Sequence, residues 1–156
     1  MEKQPLTDPA AADYFFTAQV GHLLRKVYQR HQAIFQQNIG EAQLTAVQFI
    51  TLCALRETGP CAQTDLVRIT AVDQATIRGV VDRLKARGLI AVIQDTQDKR
   101  KVILSLTDEG MAQVGDTIPR ARQVTELTYG RLNAAERVAL DFLLKKMLED
   151  EESQIP

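Results

Sequence analysis

Residues 73–106 read DQATIRGVVDRLKARGLIAVIQDTQDKRKVILSL. In the first half, Ile77, Val80, Val81 and Leu84 fall at i, i+3, i+4 and i+7, which is one face of an α-helix. Asp73 can cap its start by accepting a free backbone N–H of the first turn. Gly88 follows the last periodic turn and can take the left-handed conformation that ends a helix. Two apolar runs, residues 89–93 and 102–106, flank the charged turn Asp95-Thr96-Gln97-Asp98-Lys99-Arg100-Lys101, which reads as a hairpin. An amphipathic helix followed directly by a basic-tipped hairpin is the plan of a winged helix-turn-helix. Its helix suits the major groove, and its tip can reach the backbone or minor groove beside it.

The remaining sequence sets the frame. A chain of 156 residues, 45% hydrophobic and 25% charged, is one soluble domain. No apolar run approaches a membrane span, and the N-terminus lacks the basic-then-apolar order of a secretory signal, so a cytoplasmic location is expected. Cys53 and Cys61 lack disulfide or metal spacing and read as small apolar residues, with a redox role as the alternative. Net charge is −1, yet residues 63–101 carry eight basic against five acidic residues, a balance of +3, which leaves −4 elsewhere. Basic charge therefore collects on the helix and hairpin, as a nucleic-acid surface requires.

Upstream, residues 1–9 read as a loose arm. Residues 10–37 read as one long helix on the period of Phe16, Val20, Leu23, Leu24, Val27, Ile34 and Phe35. Its crowded Tyr14, Phe15 and Phe16 are expected to pack on something beyond their own subunit. After a link at residues 38–43, Thr45 and Gln48 form a capping box, and Val47, Ile50, Leu52 and Leu55 point the second helix into the core. Thr58-Gly59-Pro60 stops it. Cys61-Ala62 can add a third strand beside the wing. Residues 63–70, with Leu66, Val67 and Ile69, form the first helix of the helix-turn-helix, although the turn at Ala71-Val72 has no glycine. Downstream, a helix from Thr107 to about Leu132 contains Pro119, which should kink or divide it. Asn133 and Glu136 form a second capping box. The last helix carries Val138, Leu140, Phe142, Leu143, Leu144, Met147 and Leu148 on more than one face and wants a partner as well as a core. The expected fold is mainly α with a small β-wing. Residues 10–40 and 107–151 act as dimerisation helices around a DNA-binding lobe at 44–106. The dimer is a homodimer, which favours a pseudo-palindromic site.

Four motifs carry a resemblance to the MarR family of bacterial transcriptional regulators. They are Leu44-Thr45-x-x-Gln48-Phe49, Val81-Asp82-Arg83-Leu84-x-x-x-Gly88-Leu89-Ile90, Asp98-Lys99-Arg100 and Leu106-Thr107-x-x-Gly110. Their order spans nearly the whole chain. The resemblance implies a triangular helical dimer that represses promoters, and a small, often aromatic acid bound between dimerisation helices and DNA lobe that releases the DNA. The chain is similar to those members that govern catabolism of nicotinic acid and related hydroxylated ring acids. It departs from the family at Ala91, where a charged residue is common; this removes a contact near the wing root and leaves the fold undisturbed.

On the helix from Asp73, Gln74, Thr76, Arg78 and Gly79 are the candidate base readers: Gln suits adenine, Arg suits guanine, and Gly79 lets the groove wall come close. The alternative is a solvated helix face. Lys99, Arg100 and Lys101 form the wing tip, where a long Arg can enter a narrow minor groove. The family resemblance has Asp98 hold the wing Arg or pair with Arg83, which is itself a DNA candidate. Gln63 and Thr64 open the preceding helix, where free N–H groups meet a phosphate; Arg68 fits a phosphate contact or a plain surface residue. For an effector, His22 and Arg25 share a helical face amid apolar residues, and Arg can clamp a carboxylate with two bonds. Gln48, Thr51 and Cys53 are the expected opposite wall. An interface histidine and an intersubunit ion pair explain His22 and Arg25 equally well. His31 reads as surface, and two isolated histidines make a poor zinc site. No cofactor is expected.

Three functions compete. The first is a ligand-responsive repressor, the second a ligand-independent or redox-responsive DNA-binding regulator. The third is an enzyme, for which no phosphate loop, nucleophile elbow or acid/base pair is present.

Overall fold

The computed structural model describes residues 13–40 and 43–152, the last three by backbone alone. The loose arm at residues 1–9 and the expected helical residues 10–12 lie outside them. In chain order the elements are α1 (Val20–Ile39), α2 (Ala46–Thr58), β1 (Cys61–Ala62), α3 (Gln63–Thr70), α4 (Gln74–Ala86), β2 (Ile90–Gln94), β3 (Val102–Leu106), α5 (Asp108–Tyr129) and α6 (Ala134–Glu152). No helix among the described residues is long and apolar enough to cross a membrane.

The lobe from α2 to β3 is the winged helix-turn-helix. Strand order is β1-β3-β2, all antiparallel, with Cys61 opposite Leu104, Ile90 opposite Leu106 and Gln94 opposite Val102. The expected third strand is thus present. Leu52, Leu66, Ile77, Leu84 and Leu104 are fully buried beneath the helices. The turn between α3 and α4 does without glycine because Ala71 itself adopts the left-handed conformation, φ 54 and ψ 28. Gly88, at φ 73, ends α4 as its position required.

The first helix differs from expectation. Phe16–Ala18 is a 3-10 turn, Gln19 is extended, and the α-helix starts only at Val20. Three bulky aromatic residues in a row lose rotamer freedom in an α-helix. The chain instead closes tighter bonds, Ala18 N–H to Phe15 O and Gln19 N–H to Phe16 O, and the Gln19 side-chain amide adds a bond to Phe15 O at 3.1 Å. At its other end α1 continues to Ile39, which is buried in the core. Phe35 meets Phe49 of α2 with ring centroids 5.7 Å apart.

Helix α5 runs unbroken through Pro119, so the proline does not divide it; it leaves the Gly115 carbonyl without its i+4 donor. Thr107 caps its start, and Gly130, at φ 59, ends it shortly before Leu132. The Asn133–Glu136 capping box is present in both directions, at 2.8 and 3.0 Å. Tyr129 donates to Asp141, and Arg137 lies over the Tyr129 ring and pairs with Glu126, which sets the corner between α5 and α6. No described α6 side chain is buried.

Candidate DNA-reading surface and effector recess

The N-terminal end of α4 is built by Asp73. One carboxylate oxygen accepts the Thr76 backbone N–H at 2.9 Å, and the other accepts the Thr76 hydroxyl at 2.7 Å. The Thr76 hydroxyl and backbone N–H hold the Asp73 carboxyl below its ordinary value, so it remains ionised. With its hydroxyl hydrogen bonded to the Asp73 carboxylate, Thr76 leaves only an oxygen acceptor and a methyl group to offer a base. Gln74, Arg78 and Arg83 are exposed on the same helix, and Gly79 is half-buried. The guanidinium of Arg83 lies over Gly79, 3.4 Å from where a Cβ would stand.

The wing tip is tied down by its own acids. Asp95 accepts the Gln97 N–H at 2.8 Å, and Asp98 accepts the Arg100 N–H at 3.0 Å. Of the two roles considered for Asp98, the contact observed is the one to Arg100; no Asp98–Arg83 pair occurs among the described residues. Lys99, Arg100 and Lys101 are exposed on this turn. At the start of α3, Asp65 accepts the Ala62 N–H at 3.1 Å, and Gln63 and Thr64 stand at the first turn. Arg68 lies 3.7 Å from Asp65 in an exposed pair, a contact of little energetic weight.

A second feature lies at the start of α1. Tyr14, Phe16, Gln19, Gly21, His22 and Arg25 line an open recess of about 560 Å³. His22 stands edge-on to Phe16, with centroids 5.1 Å apart. The structure brings His22 and Arg25 together here and leaves out their expected partners. Gln48 is buried, with its side-chain oxygen accepting the Thr45 N–H at 3.0 Å. Thr51 is fully buried and donates to Val47 O at 2.7 Å. Both are spent inside the lobe because α2 is surrounded by core on several sides, so within the protomer neither forms a wall of this recess. Its other lining residues, Tyr14, Phe16, Gln19 and Gly21, are not effector contacts that sequence reasoning finds. Their one signal in the sequence is the aromatic crowding at residues 14–16.

His31 corrects a second expectation. It is half-buried rather than a surface residue, and its Nδ1 lies 2.9 Å from the Thr128 hydroxyl on α5. That hydroxyl lies 2.7 Å from Val124 O, to which it donates, an arrangement that suits the tautomer with the proton on His31 Nδ1. Burial pushes the His31 pKa below its ordinary value. Next to it, Arg30 donates to the carbonyls of Leu127 and Thr128 at 3.1 and 3.3 Å. Both thiols are pushed up, chiefly by burial, and Glu57 raises Cys53 further, which suppresses the thiolate a redox sensor needs. No group of three or more potential metal ligands occurs among the described residues.

The family model that matches this chain is that of the MarR family, over residues 44–102. The HTH-type transcriptional repressor NicR of Pseudomonas putida is 54% identical over 156 residues, covering 98% of this chain and 99% of that protein. A solved structure of Bordetella bronchiseptica BpsR, whose DNA binding is regulated by 6-hydroxynicotinic acid, superposes with a TM-score of 0.81 at 55% identity, covering 92% of this chain and 99% of that one. An Escherichia coli MarR variant complexed with operator DNA gives a TM-score of 0.78 at 25% identity, covering 86% of this chain and 99% of that one. The matched segment contains α4 and the hairpin as far as Val102, and the identity extends over the flanking helices: the chain belongs to the MarR family.

Proposed function

We propose that this chain is a homodimeric repressor that grips a pseudo-palindromic operator with α4 in the major groove and the wing over the adjacent backbone. A hydroxylated nicotinic acid in the recess of α1 releases it. The observation that carries the effector class is the 55% identity to BpsR, whose DNA binding responds to 6-hydroxynicotinic acid. The chemistry of the recess agrees with it. Arg25 supplies a bidentate partner for a carboxylate, Phe16 a ring face and His22 a hydrogen-bonding edge. The relatives are transcriptional regulators, which sets the enzyme reading aside.

The dimer is supported by apolar surface that one protomer leaves open. Val20 is 60% exposed and Val27 52% on α1, while Val138 and Phe142 on α6 are 71% and 63% exposed. Val20 and Val27 line one apolar groove with Leu140 and Leu144 of α6, a surface that a stable monomer rarely leaves open. Residues 44–106 act as the DNA lobe, and α1, α5 and α6 join the two protomers.

Fluorescence anisotropy tests the whole reading, using DNA upstream of the protein's own gene at fixed salt, because phosphate contacts make affinity salt-dependent. Tight binding, released by 6-hydroxynicotinate and not by benzoate, is the expected result. Arg25→Gln should raise the acid concentration needed for half-release by roughly tenfold or more, the worth of a charged bidentate contact. Tight binding indifferent to every ring acid would replace this reading with a ligand-independent regulator.

A further inference from the structure

The contact between Arg83 and Gly79 has a use in DNA reading. Helical side chains lean toward the N-terminus, so a residue at i+4 lies back over residue i. A Cβ at Gly79 would stand 3.4 and 3.7 Å from the two terminal nitrogens of Arg83 and 3.9 Å from its Cζ. Both terminal nitrogens stand nearer that point than Cζ does, so the guanidinium turns its terminal edge toward Gly79. The Arg83 side chain makes no hydrogen bond or ion pair among the described residues, so its five guanidinium N–H donors are unspent.

Position decides what those donors meet. At 100° per residue, Gly79 lies about 150° around α4 from the centre of the buried stripe formed by Ile77, Val80, Val81 and Leu84. It is on the crest of the helix. Arg78 and Thr76 stand on the flanks to either side of it. In a major groove the crest faces base edges, whereas the phosphates line the two sides.

We propose that Gly79 is a specificity-determining position: as an empty seat it lets Arg83 lie along α4 and present its guanidinium to the paired acceptors of a guanine. The seat carries that guanidinium about one helical turn, roughly 5.4 Å, toward the base-reading end. The inference rests on the operator-binding reading above. A longer side chain at position 79 fills the seat and lifts the guanidinium off the crest.

The test is equilibrium binding of wild type, Gly79→Leu, Arg83→Lys and the double variant at one salt concentration. The probes are an operator set in which each base pair of the half-site is replaced in turn. Wild type discriminates at one G·C pair per half-site. Gly79→Leu and Arg83→Lys each lose roughly tenfold or more on the native operator, flatten the preference at that pair and keep it elsewhere. The double variant is no weaker than Gly79→Leu alone. Circular-dichroism melting shows Gly79→Leu at least as stable as wild type, since leucine is the better helix former. Equal losses on every probe would make Arg83 a phosphate contact and overturn the proposal. Additive losses would show that Gly79 acts without Arg83, and overturn it likewise. Absence of any sequence-selective binding by the wild type would remove the operator reading itself.

Discussion

Replacing Gly110 with alanine should damage this protein more than adding a methyl group at any other glycine from Gly21 to Gly130. Gly110 lies in the first turn of α5, where the helix meets the root of the wing. Thr107 Oγ1 accepts the Gly110 N–H at 3.0 Å and donates to Gly88 O at 2.7 Å, while the Thr107 N–H donates to Leu89 O at 3.2 Å. A Cβ at position 110 would stand 2.2 Å from that same Leu89 oxygen and 2.9 Å from Leu106 Cδ1. The obstacle is backbone, so no rotamer relieves it. The start of α5 must move by roughly 1 Å or more to restore normal contact. Overpacking costs about 1–3 kcal/mol. The displaced Thr107 cap adds about 1 kcal/mol, and its bond to Gly88 a further ~1 kcal/mol. Alanine's better helix propensity returns about 1 kcal/mol. The net destabilisation is about 2–4 kcal/mol, which for a chain of this length is a fall in Tm of roughly 5–15 °C. The assay is thermal melting at one protein concentration, because dimerisation makes Tm concentration-dependent. Gly115→Ala is the paired control, since a Cβ there meets nothing within 4 Å; it should melt at or slightly above wild type. If Gly110→Ala melts with Gly115→Ala, the close docking of α5 on the wing root is refuted.

Other consequences can be measured with the same preparation. His31 has a folded-state pKa below its ordinary 6.5, so the folded state binds fewer protons than the unfolded one. Its contribution to stability is complete above pH 6.5 and declines as pH falls toward and through the folded value. Wild type should therefore show a larger fall in Tm than His31→Gln between about pH 7.5 and 5; equal falls would dissociate His31 from the acid response. Replacing Lys101 with alanine should reduce the steepness of log affinity against log salt by about 0.9 for each phosphate that the side chain neutralises, or about 1.8 for the two wings of a dimer; an unchanged slope would take Lys101 off the backbone. Because Cys53 and Cys61 hold their protons at neutral pH, a thiol-reactive dye should label both slowly, and mild oxidant should leave operator affinity intact. Rapid labelling coupled to DNA release would restore the redox alternative. Arg30→Gln, which removes the two Arg30 bonds from α1 to the end of α5, should shrink the factor by which the acid weakens operator binding; by linkage the operator then weakens acid binding by that same smaller factor. An unchanged factor would show that the Arg30 contact does not carry the coupling.

The lobe is legible in the sequence because its signals are local. Asp73, Thr45, Thr107 and Asn133 each bond backbone within three residues, so a cap can be recognised without knowing the fold. Apolar runs and 3.6-residue periods deliver β2, β3 and α4 within a residue or two. What escapes depends on distant parts of the chain. Helical spacing puts Gln48 and Thr51 on α2, but it does not say that α2 is buried on several sides, with Phe49, Leu52, Ala54 and Leu55 around them. His31 reads as surface until α5, 97 residues later, places the Thr128 hydroxyl beside it. The break at Gln19 is hidden because no Gly or Pro marks it; aromatic crowding and a side-chain bond act in their place.

Helix α5 joins the two regions that the proposed mechanism uses. Its first turn is bonded to the wing root through Thr107, and its last turn to α1 through Arg30 and His31. Arg25 of the recess lies five residues before Arg30 on the same helix, about 7.5 Å along its axis. An acid bound there, as proposed, would act on the helix that grips the far end of α5. At 22 residues α5 is about 33 Å long. A tilt of about 5° at one end would move the other by about 3 Å, close to the ~3.4 Å rise of one base pair. In a two-fold dimer both heads move, so their spacing changes by up to about two base pairs, against half-sites that must lie one helical turn apart. The displacement needed to spoil operator binding is therefore small enough for a ligand of one ring to produce, provided that neither end of α5 slips.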